Sequence, residues 1–386
     1  MHQPLKDFLP ALLVRPSLAL LKYGFSLSLL WGAFALPSPA AVEMRVAVDE
    51  RLDRVAVGSS TVATVKDSTG AALGQLPEGR AVTVTAEGSG VRLADWHGQA
   101  FWVEPTGDGF IFIDDTWYRG RVLVLPVDGK LTAINWVDLE TYLYSVLGAE
   151  MPASWHPEAL KSQAVAARSY ALYRRDRSQN ALFDVGGTTA TQVYKGLASE
   201  TQSTQAAVNA TRGQVLTYGS QVIEAVFHAS SGGQTENSED IWQRPIPYLR
   251  SVPDFDQQAP VFHWAETFTA SQFEQRVTGI GQLTGVTTER ATPWGRVVSI
   301  RLQGTQGSRV LTGSELRQAL GLRSTLFTVT VAGDTIRVAG RGYGHGLGLS
   351  QWGARSLAMQ GYSYQQILVY YYQGTALSNL QLAGRP

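Results

Sequence analysis

The chain contains no cysteine, and this absence excludes several classes of site at once. Disulfide bonds, a cysteine nucleophile, iron–sulfur clusters and thiolate-ligated zinc all require that residue. Charge is also scarce, because charged residues make up 17% of the chain, against roughly 25% in average proteins. Lys and Arg total 32 and Asp and Glu total 32, so the formal net charge is zero. A neutral chain gives no electrostatic reason to expect nucleic acid or an anionic membrane surface as a partner.

Several common active-site motifs are missing as well. The sequence has no P-loop and no H-E-x-x-H helix. The glycines of residues 340–348 alternate with other residues, so that no G-x-G-x-x-G phase fits. The nucleophile elbow G-x-S-x-G nearly occurs at residues 348–352, but Trp352 stands where the second glycine is needed. A dinucleotide-binding enzyme and a serine hydrolase are therefore disfavoured.

The first 41 residues have the features of an export segment. Lys6, Arg15 and Lys22 form a positive region, and the apolar stretch at residues 24–36 contains no charge. This stretch is shorter than the roughly 20 residues that a spanning helix needs, and small residues around Ala40 fit a signal-peptidase site. We predict a signal peptide or N-terminal anchor at residues 1–41. In either case the rest of the protein is expected in the periplasm or cell envelope.

The rest of the chain is long enough for about two to three domains and predicts an α+β fold. Residues 42–117 are β-rich, with β-branched runs between Gly and Pro turns. Residues 118–376 alternate helical and strand patterns and predict a helical core combined with mixed β-sheet sections. Residues 377–386 are expected to form a C-terminal tail.

Two helices are predicted at the centre of the chain. The first follows Asp138 as its N-cap, and Gly148 breaks its apolar stripe. The second begins at Pro157, a residue that is favoured in the first turn of a helix. Gln163 and Arg174 lie on one polar face of this second helix.

The turn between these helices contains Glu150, the first candidate for chemistry. Met151, Pro152 and Trp155 surround its carboxyl with apolar surface. Desolvation of this kind raises the pKa of a carboxyl and favours its protonated form. A protonated carboxyl in a groove is what a general acid requires. The alternative is that Glu150 is a solvated residue at a helix end.

Two further polar clusters could bind a ligand. The first spans residues 228–242 after a predicted strand, where small residues leave backbone open and hydroxyls could bind sugar hydroxyls. Its alternatives are a plain polar loop, or a metal site of His228 with Glu236 or Asp240. The second cluster lies on the glycine run. The glycines would let a ligand approach the backbone closely. The alternative is that the run is a tight structural turn before a capped helix. Its members are Tyr343, His345, Ser350, Gln351 and Trp352.

Several motifs follow one another along residues 118–374, about two thirds of the chain. They are EMP at residues 150–152, EALKSQAVAARSYA at 158–171, TQVYKG at 191–196, AVNATRGQVL at 207–216, the stretch 227–242 and GRGYGHGLGLSQWGA at 340–354. In order and spacing they closely resemble the stage II sporulation protein D (SpoIID/LytB) family. No single motif would suffice, and the resemblance rests on the whole series.

The resemblance implies a peptidoglycan lytic transglycosylase, which cleaves the MurNAc–GlcNAc bond of glycan strands lacking stem peptides and leaves 1,6-anhydro-MurNAc ends. The catalytic acid of the family is the Glu of its E-M-P motif, which corresponds to Glu150. One carboxylate suffices for this reaction because the 6-hydroxyl of the substrate itself attacks the anomeric carbon. The implied partners are peptidoglycan glycan strands and other cell-wall hydrolases. Since some family members are described as amidase enhancers, a non-catalytic glycan-binding or amidase-enhancing protein is the alternative.

Polar or aromatic side chains of the motifs are our candidates for binding N-acetyl and hydroxyl groups of the glycan. These substrate-binding candidates are Gln163, Arg168, Ser231, Tyr343, His345 and Gln351. Arg168 could equally serve as an internal ion-pair partner on its helix. Some members of the family hold zinc through a cysteine-containing cluster near the region of His228, and because this chain lacks cysteine we predict no metal and no cofactor. A zinc hydrolase using His228 and His345 is a further alternative.

Overall fold

The structure is a computed structural model that describes residues 42–188 and 191–380. The predicted signal peptide or anchor at residues 1–41 and the last part of the predicted tail, residues 381–386, lie outside the described residues. Within the described ranges, no helix has both the length and the apolar character that a membrane crossing requires. The fold is α+β, as predicted, and its β-rich N-terminal part precedes helices and mixed sheets.

The N-terminal part consists of antiparallel strands in two sheets that share one apolar core. The strands are β1 (Glu43–Leu52), β2 (Arg54–Ser59), β3 (Ala63–Asp67), β4 (Ala72–Leu76), β5 (Val82–Glu87), β6 (Gly90–Leu93), β7 (Trp96–Gly98), β8 (Phe101–Pro105), β9 (Ile111–Ile113), β10 (Thr116–Tyr118), β11 (Arg121–Val127) and β12 (Lys130–Asp138). One sheet contains the order β1-β12-β11-β8-β3-β4, and the other has the order β10-β9-β2-β5-β6-β7. Asp128 and Gly129 join β11 to β12 with φ values of 52° and 76°, which suits the tight turn of a hairpin.

The first of these sheets extends across the boundary predicted between residues 117 and 118. β8 pairs with β11, and β1 pairs with β12 along most of its length. The apolar core also runs without interruption from these strands into the helices that follow. A division at residue 117 would therefore separate strands of one sheet, because the strands before it are hydrogen-bonded to strands after it.

Two helices follow directly on β12, and their beginnings agree with the prediction. They are α1 (Leu139–Glu150) and α2 (Pro157–Arg177). The side chain of Asp138 caps α1 by accepting hydrogen bonds from two backbone N–H groups of the first turn. Pro157 is the first residue of α2, and the His156 side chain caps that helix.

Gly148 does not end α1, contrary to the prediction from its sequence pattern. It lies inside the helix, at a point where an added Cβ would collide with the carbonyl oxygen of Ser199. Ser199 is the last residue of a short 3₁₀ helix, Gly196–Ser199. The glycine is therefore explained by the close approach of this short helix to α1, and α1 continues for two more residues to Glu150.

Short elements complete the region around the two helices. They are β13 (Val185–Gly186), α3 (Gln202–Ala210), β14 (Gln214–Tyr218), β15 (Gln221–Val222), β16 (Phe227–His228) and α4 (Ser238–Trp242). β13 extends the first sheet by pairing in parallel with β1. β14 and β15 form a short hairpin, and the chain leaves that sheet before it reaches β16.

Residues 263–341 form a second apolar core of their own. Their elements are β17 (His263–Thr269), α5 (Ala270–Arg276), β18 (Leu283–Ala291), β19 (Val297–Gly304), β20 (Gly307–Thr312), α6 (Gly313–Leu320), β21 (Phe327–Ala332) and β22 (Thr335–Arg341). Buried side chains such as Phe273, Leu302 and Ile336 pack together in this part. Residues of the predicted region 118–376 thus contribute to two apolar cores.

The last elements return to the helical part of the protein. They are β23 (Leu349–Ser350), α7 (Gln351–Met359), α8 (Tyr364–Tyr371) and β24 (Ala376–Asn379). β23 pairs in parallel with β16 and aligns Ser350 with His228, which brings the two predicted polar clusters side by side. β24 pairs with β14, so the predicted tail at residues 377–386 begins inside a strand.

Candidate active site

Glu150 is the last residue of α1, directly before the turn that leads to α2. The last carbonyl groups of a helix have no partners within the helix, and they give its C-terminal end a partial negative charge. A carboxylate is unfavourable at this end, whereas a neutral carboxyl is not. The position of Glu150 at the end of α1 therefore favours the protonated form of its side chain.

The half-buried carboxyl of Glu150 has three polar neighbours. Its Oε1 accepts a hydrogen bond from the backbone N–H of Val193 at 3.1 Å. The side chain of Gln351 also hydrogen-bonds to it, and the charge of Lys195 acts on it from nearby. Desolvation by burial raises the pKa of the Glu150 carboxyl above its ordinary value and outweighs these three contacts, which lower it. A raised pKa is the direction of shift that a general acid requires.

Glu150 lines a cleft with a volume of about 370 Å³. The cleft has aromatic walls and charged groups together, a combination that suits a sugar, whose faces are apolar and whose edges carry hydroxyls. Trp242 is 38% exposed at this site. The other lining residues are Tyr170, Arg174, Thr191, Val193, Glu224, Val226, Phe227 and His345.

Two histidines pack together beside the cleft, and their ring centres are 5.2 Å apart. The Nε2 of His345 lies 3.0 Å from the carbonyl oxygen of Phe227, and its Nδ1 accepts a hydrogen bond from the backbone N–H of Leu347 at 3.0 Å. The second contact places the ring proton on Nε2, which donates to the carbonyl. Burial and the charge of Arg296 lower the pKa of His345 to about 4, so its ring is neutral at neutral pH.

The contacts of His345 do not fit a zinc ligand, whereas the buried Nε2 of His228 has no hydrogen-bond partner among the described residues. Both ring nitrogens of His345 are engaged by the backbone, and the Nδ1 of His228 contacts a backbone carbonyl at 3.1 Å. Glu236 accepts a hydrogen bond from Thr292 at 2.8 Å and lies 3.6 Å from the buried guanidinium of Arg296. Across residues 42–188 and 191–380, no group of three or more His, Asp or Glu side chains is placed to hold a metal ion.

Comparison with known proteins places this site in a family. The family model described as stage II sporulation protein matches residues 127–218. Stage II sporulation protein D of Bacillus subtilis (strain 168) is 39% identical over 266 residues, which cover 63% of this chain and 75% of that relative. The protein of the same name from Bacillus amyloliquefaciens is 37% identical over 268 residues, covering 63% of this chain and 74% of that relative. The chain belongs to the stage II sporulation protein D family.

Two different family models match the two parts of the chain that carry the site residues. The stretch matched by the stage II sporulation model contains α1, α2 and Glu150. Residues 248–348 match a domain of unknown function (DUF8618), which includes the second apolar core and His345. The amidase enhancer of Bacillus subtilis (strain 168) is 32% identical over 292 residues, which cover 61% of this chain and 40% of that protein.

Three of the predicted substrate-binding residues do not reach the cleft. Gln163 and Arg168 are completely buried on α2, because that helix is packed on almost all its faces. The guanidinium of Arg168 forms an ion pair with Glu140 at 2.6 Å, which agrees with the alternative of an internal partner. Ser231 is also completely buried, and its hydroxyl donates to the carboxylate of Asp254. Their interpretation as groove-lining residues is therefore corrected to an interior position.

The other predicted residues divide into two groups. Gln351 and His345 lie at the Glu150 site, the first bonded to the carboxyl and the second lining the cleft. Tyr343 is 46% exposed but lines a separate cavity of about 390 Å³ beside Arg317 and Arg323. It does not line the cleft of Glu150.

Glu224 is a further acidic residue of this cleft, and it is not among the site residues predicted from the sequence. It lies between Ile223 and Ala225, inside an apolar stretch that reads as a strand. A single charged residue in an otherwise apolar stretch was the one feature of the sequence that could have marked Glu224 as a site residue. Its carboxylate accepts a hydrogen bond from Arg244 at 3.1 Å.

Proposed function

We propose that this protein acts on the cell wall as a lytic transglycosylase that cleaves the MurNAc–GlcNAc bond of peptidoglycan glycan strands. The observation that carries the proposal is Glu150, a half-buried carboxyl of raised pKa in a cleft with aromatic walls. Membership of the stage II sporulation protein D family supports a cell-wall role. Because this substrate lies outside the cytoplasmic membrane, the proposal includes export, as expected from residues 1–41.

In this mechanism Glu150 acts first as an acid and then as a base. Its protonated carboxyl donates a proton to the glycosidic oxygen, the bond from C1 of MurNAc to that oxygen breaks, and GlcNAc leaves as an alcohol. The 6-hydroxyl of the same MurNAc attacks C1, and the Glu150 carboxylate takes the hydroxyl proton. The product is a 1,6-anhydro-MurNAc end, no water is consumed, and the carboxyl is again protonated. Attack within one sugar needs no enzyme nucleophile, because the reacting groups are already held together.

The residues around Glu150 have supporting parts in this proposal. The backbone N–H of Val193 and the side chain of Gln351 hold the carboxyl and stabilise its charged form between the two proton transfers. The rings of Tyr170, Phe227 and Trp242 offer apolar faces for sugar rings. The neutral ring of His345 is fixed by the backbone and contributes shape rather than a proton.

Glu224 supports a second candidate, a hydrolase. Glycosidases that use water place two carboxylates about the scissile bond, and Glu224 lines the same cleft as Glu150. Its carboxylate accepts a hydrogen bond from Arg244 at 3.1 Å, and in a hydrolase it would activate the attacking water molecule. The similarity to an amidase enhancer supports a third candidate, a glycan-binding protein without turnover.

Digestion of purified, peptide-free glycan strands followed by mass spectrometry separates the three candidates. We expect fragments with 1,6-anhydro-MurNAc ends, each lighter by one water than a hydrolysed end. Fragments with water-added ends would replace the proposal by the hydrolase. Intact strands that still bind the protein would replace it by the non-catalytic binder.

Replacing Gln351 by leucine should move the alkaline limb of the rate–pH profile to higher pH. The Gln351 hydrogen bond lowers the pKa of Glu150 by stabilising the carboxylate. Its loss therefore raises that pKa, and the acid form required for the first step persists to higher pH. The measurement is kcat/KM for strand cleavage across the pH range. Gln360, an exposed residue at the end of the same helix, is the control, and Gln360→Leu should leave the limb in place. If the alkaline limb of the Gln351→Leu profile stays in place or moves to lower pH, the hydrogen bond between Gln351 and Glu150 is contradicted.

A further inference from the structure

The cavity that Tyr343 lines has a volume of about 390 Å³ and shares no lining residue with the cleft of Glu150. Its walls come from α6, from the segment that follows this helix and from the glycine run. The other lining residues are Ser314, Arg317, Gln318, Gly321, Leu322 and Arg323. Two of these residues are arginines and none is acidic, so the cavity carries positive charge in a chain whose formal net charge is zero.

The two arginines are brought to Tyr343 by contacts of the backbone. The carbonyl oxygen of Arg323 accepts a hydrogen bond from the N–H of Gly344 at 3.0 Å, which ties the segment after α6 to the glycine run. The Nε of Arg317 donates to the carbonyl oxygen of Leu322 at 3.2 Å. Arg317 is also close enough to Tyr343 for their side chains to interact electrostatically. The cavity is therefore formed by elements that are bonded to one another.

Neither arginine has a partner of opposite charge. Within the described ranges no ion pair joins Arg317 or Arg323 to an acidic side chain, and the guanidinium of Arg323 makes no hydrogen bond. Both residues are half-buried, and burial lowers the pKa of the Arg317 guanidinium below its ordinary value. The removal of a charge from water is unfavourable unless another group compensates for it. A bound anion would provide that compensation.

We infer that Arg317, Arg323 and Tyr343 form a binding site for a phosphate group. A phosphate monoester carries a charge of about −1.5 to −2 at pH 7 and three strong acceptor oxygens, which match two guanidinium groups. A carboxylate has one charge and two oxygens, and would leave one of the arginines without a partner. Guanidinium groups bind phosphate through pairs of parallel hydrogen bonds.

Polar groups around the two arginines can complete the coordination of a phosphate. The hydroxyl of Tyr343 makes no hydrogen bond with any of the described residues. Ser314 and Gln318 are exposed residues four positions apart on α6, and such residues lie on the same face of a helix. The Tyr343 ring is 46% exposed and offers an apolar face to a sugar. Free phosphate and a sugar phosphate share the required chemistry, and the test separates them.

The test is calorimetric titration of the purified protein in a buffer without phosphate. The probes are inorganic phosphate and glucose 6-phosphate, with glucose as the neutral control. We expect both phosphates to bind at one site per chain and glucose to show no binding to that site. Tighter binding of glucose 6-phosphate than of inorganic phosphate would identify a sugar phosphate as the ligand, and equal binding would identify the phosphate group alone.

Arg323→Gln is the decisive variant, because the Arg323 side chain has no hydrogen bond within the described ranges to lose. We expect it to weaken the binding of inorganic phosphate about tenfold, as the loss of a charge-assisted hydrogen bond does. Arg317→Gln should weaken binding to a similar extent. Tyr343→Phe should have a smaller effect, because it removes a neutral donor.

Arg337→Gln is the matched control. Arg337 is an exposed arginine on β22, in the same apolar core, and it does not line this cavity. This variant should bind inorganic phosphate as tightly as the unmodified protein. The inference is overturned if the unmodified protein binds neither phosphate probe, if Arg323→Gln binds as tightly as the unmodified protein, or if Arg323→Gln and Arg337→Gln weaken binding equally, which would indicate a nonspecific attraction of anions.

These outcomes are independent of the proposed reaction. Because the two sites share no lining residue, Glu150→Gln should bind phosphate as the unmodified protein does. Anhydro products without phosphate binding would leave the transglycosylase in place and remove the phosphate site. Phosphate binding that depends on Arg323, together with no cleavage of glycan strands, would support the phosphate site and remove the transglycosylase.

Discussion

Replacing Glu150 by glutamine should slow the cleavage of peptide-free glycan strands by about 10²–10⁴-fold, the usual contribution of a positioned acid and base. Glutamine has the shape of protonated glutamate, and its carbonyl oxygen can still accept the hydrogen bond from Val193. It cannot donate a proton to the glycosidic oxygen or take one from the 6-hydroxyl. The measurement is the rate of anhydro-end formation, with circular dichroism and thermal unfolding to show that the fold is kept.

Glu224→Gln is the matched control for this prediction, since Glu224 lines the same cleft. In the proposed mechanism Glu224 transfers no proton, so we expect a much smaller loss of rate from its replacement. Equal losses in the two variants would favour the two-carboxylate hydrolase. An unchanged rate in Glu150→Gln would remove Glu150 from the mechanism.

Replacing Arg168 by methionine should lower the free energy of unfolding by about 3–5 kcal/mol, as expected when one partner of a buried ion pair is removed. The guanidinium donates to Glu140 at 2.9 Å and 2.6 Å, and to the carbonyl oxygens of Val208 and Gln214 at 3.3 Å and 3.1 Å. It thereby joins α2 to α1, α3 and β14. Without it, the carboxylate of Glu140 is left in the interior with no opposite charge. Denaturant unfolding of Arg168→Met gives the required free energy.

Two further variants test the reason for this loss. In Arg168→Met combined with Glu140→Leu, both charges are gone, and much of the lost stability should return because an apolar pair can replace a buried ion pair. Lys130→Met removes one partner of the largely exposed pair Lys130–Asp53 and should cost less than about 1 kcal/mol. A loss in Arg168→Met as small as that of Lys130→Met would contradict the structural role of Arg168.

The sequence predicted the local features of the site well, because these depend on neighbours along the chain. The cap at Asp138, the start at Pro157 and the apolar turn after Glu150 are set by residues within a few positions of one another. The cap of α7 by Ser350 has the same origin, since its hydroxyl accepts from the N–H of Gly353 at 3.2 Å. Short-range hydrogen bonds and backbone preferences of this kind do not require knowledge of the fold.

The errors concern burial and contacts between distant parts of the chain. Gln163 and Arg168 were expected to line the groove as polar residues of the motifs, yet both are buried because α2 is surrounded by other elements. The sequence pattern predicts that the helix ends at Gly148. In the structure, a glycine is needed there because Ser199, which lies beyond α2 in the chain, packs against this point of α1. Neither the burial of α2 nor the contact at Gly148 can be predicted from neighbouring residues, because each depends on which elements pack together in the fold.

By itself, the amino-acid sequence determined the α+β class, the helices on either side of Glu150 and the set of motifs that mark the family. Tertiary structure alone decided which of those residues share a cleft. The pairing of β16 with β23 brings His228 beside Ser350, and Glu224 from the segment between β15 and β16 and Arg174 from α2 line the cleft of Glu150. The physical reason is that helix caps and turns are fixed by bonds between near neighbours, whereas a cleft is formed only when distant apolar surfaces have packed.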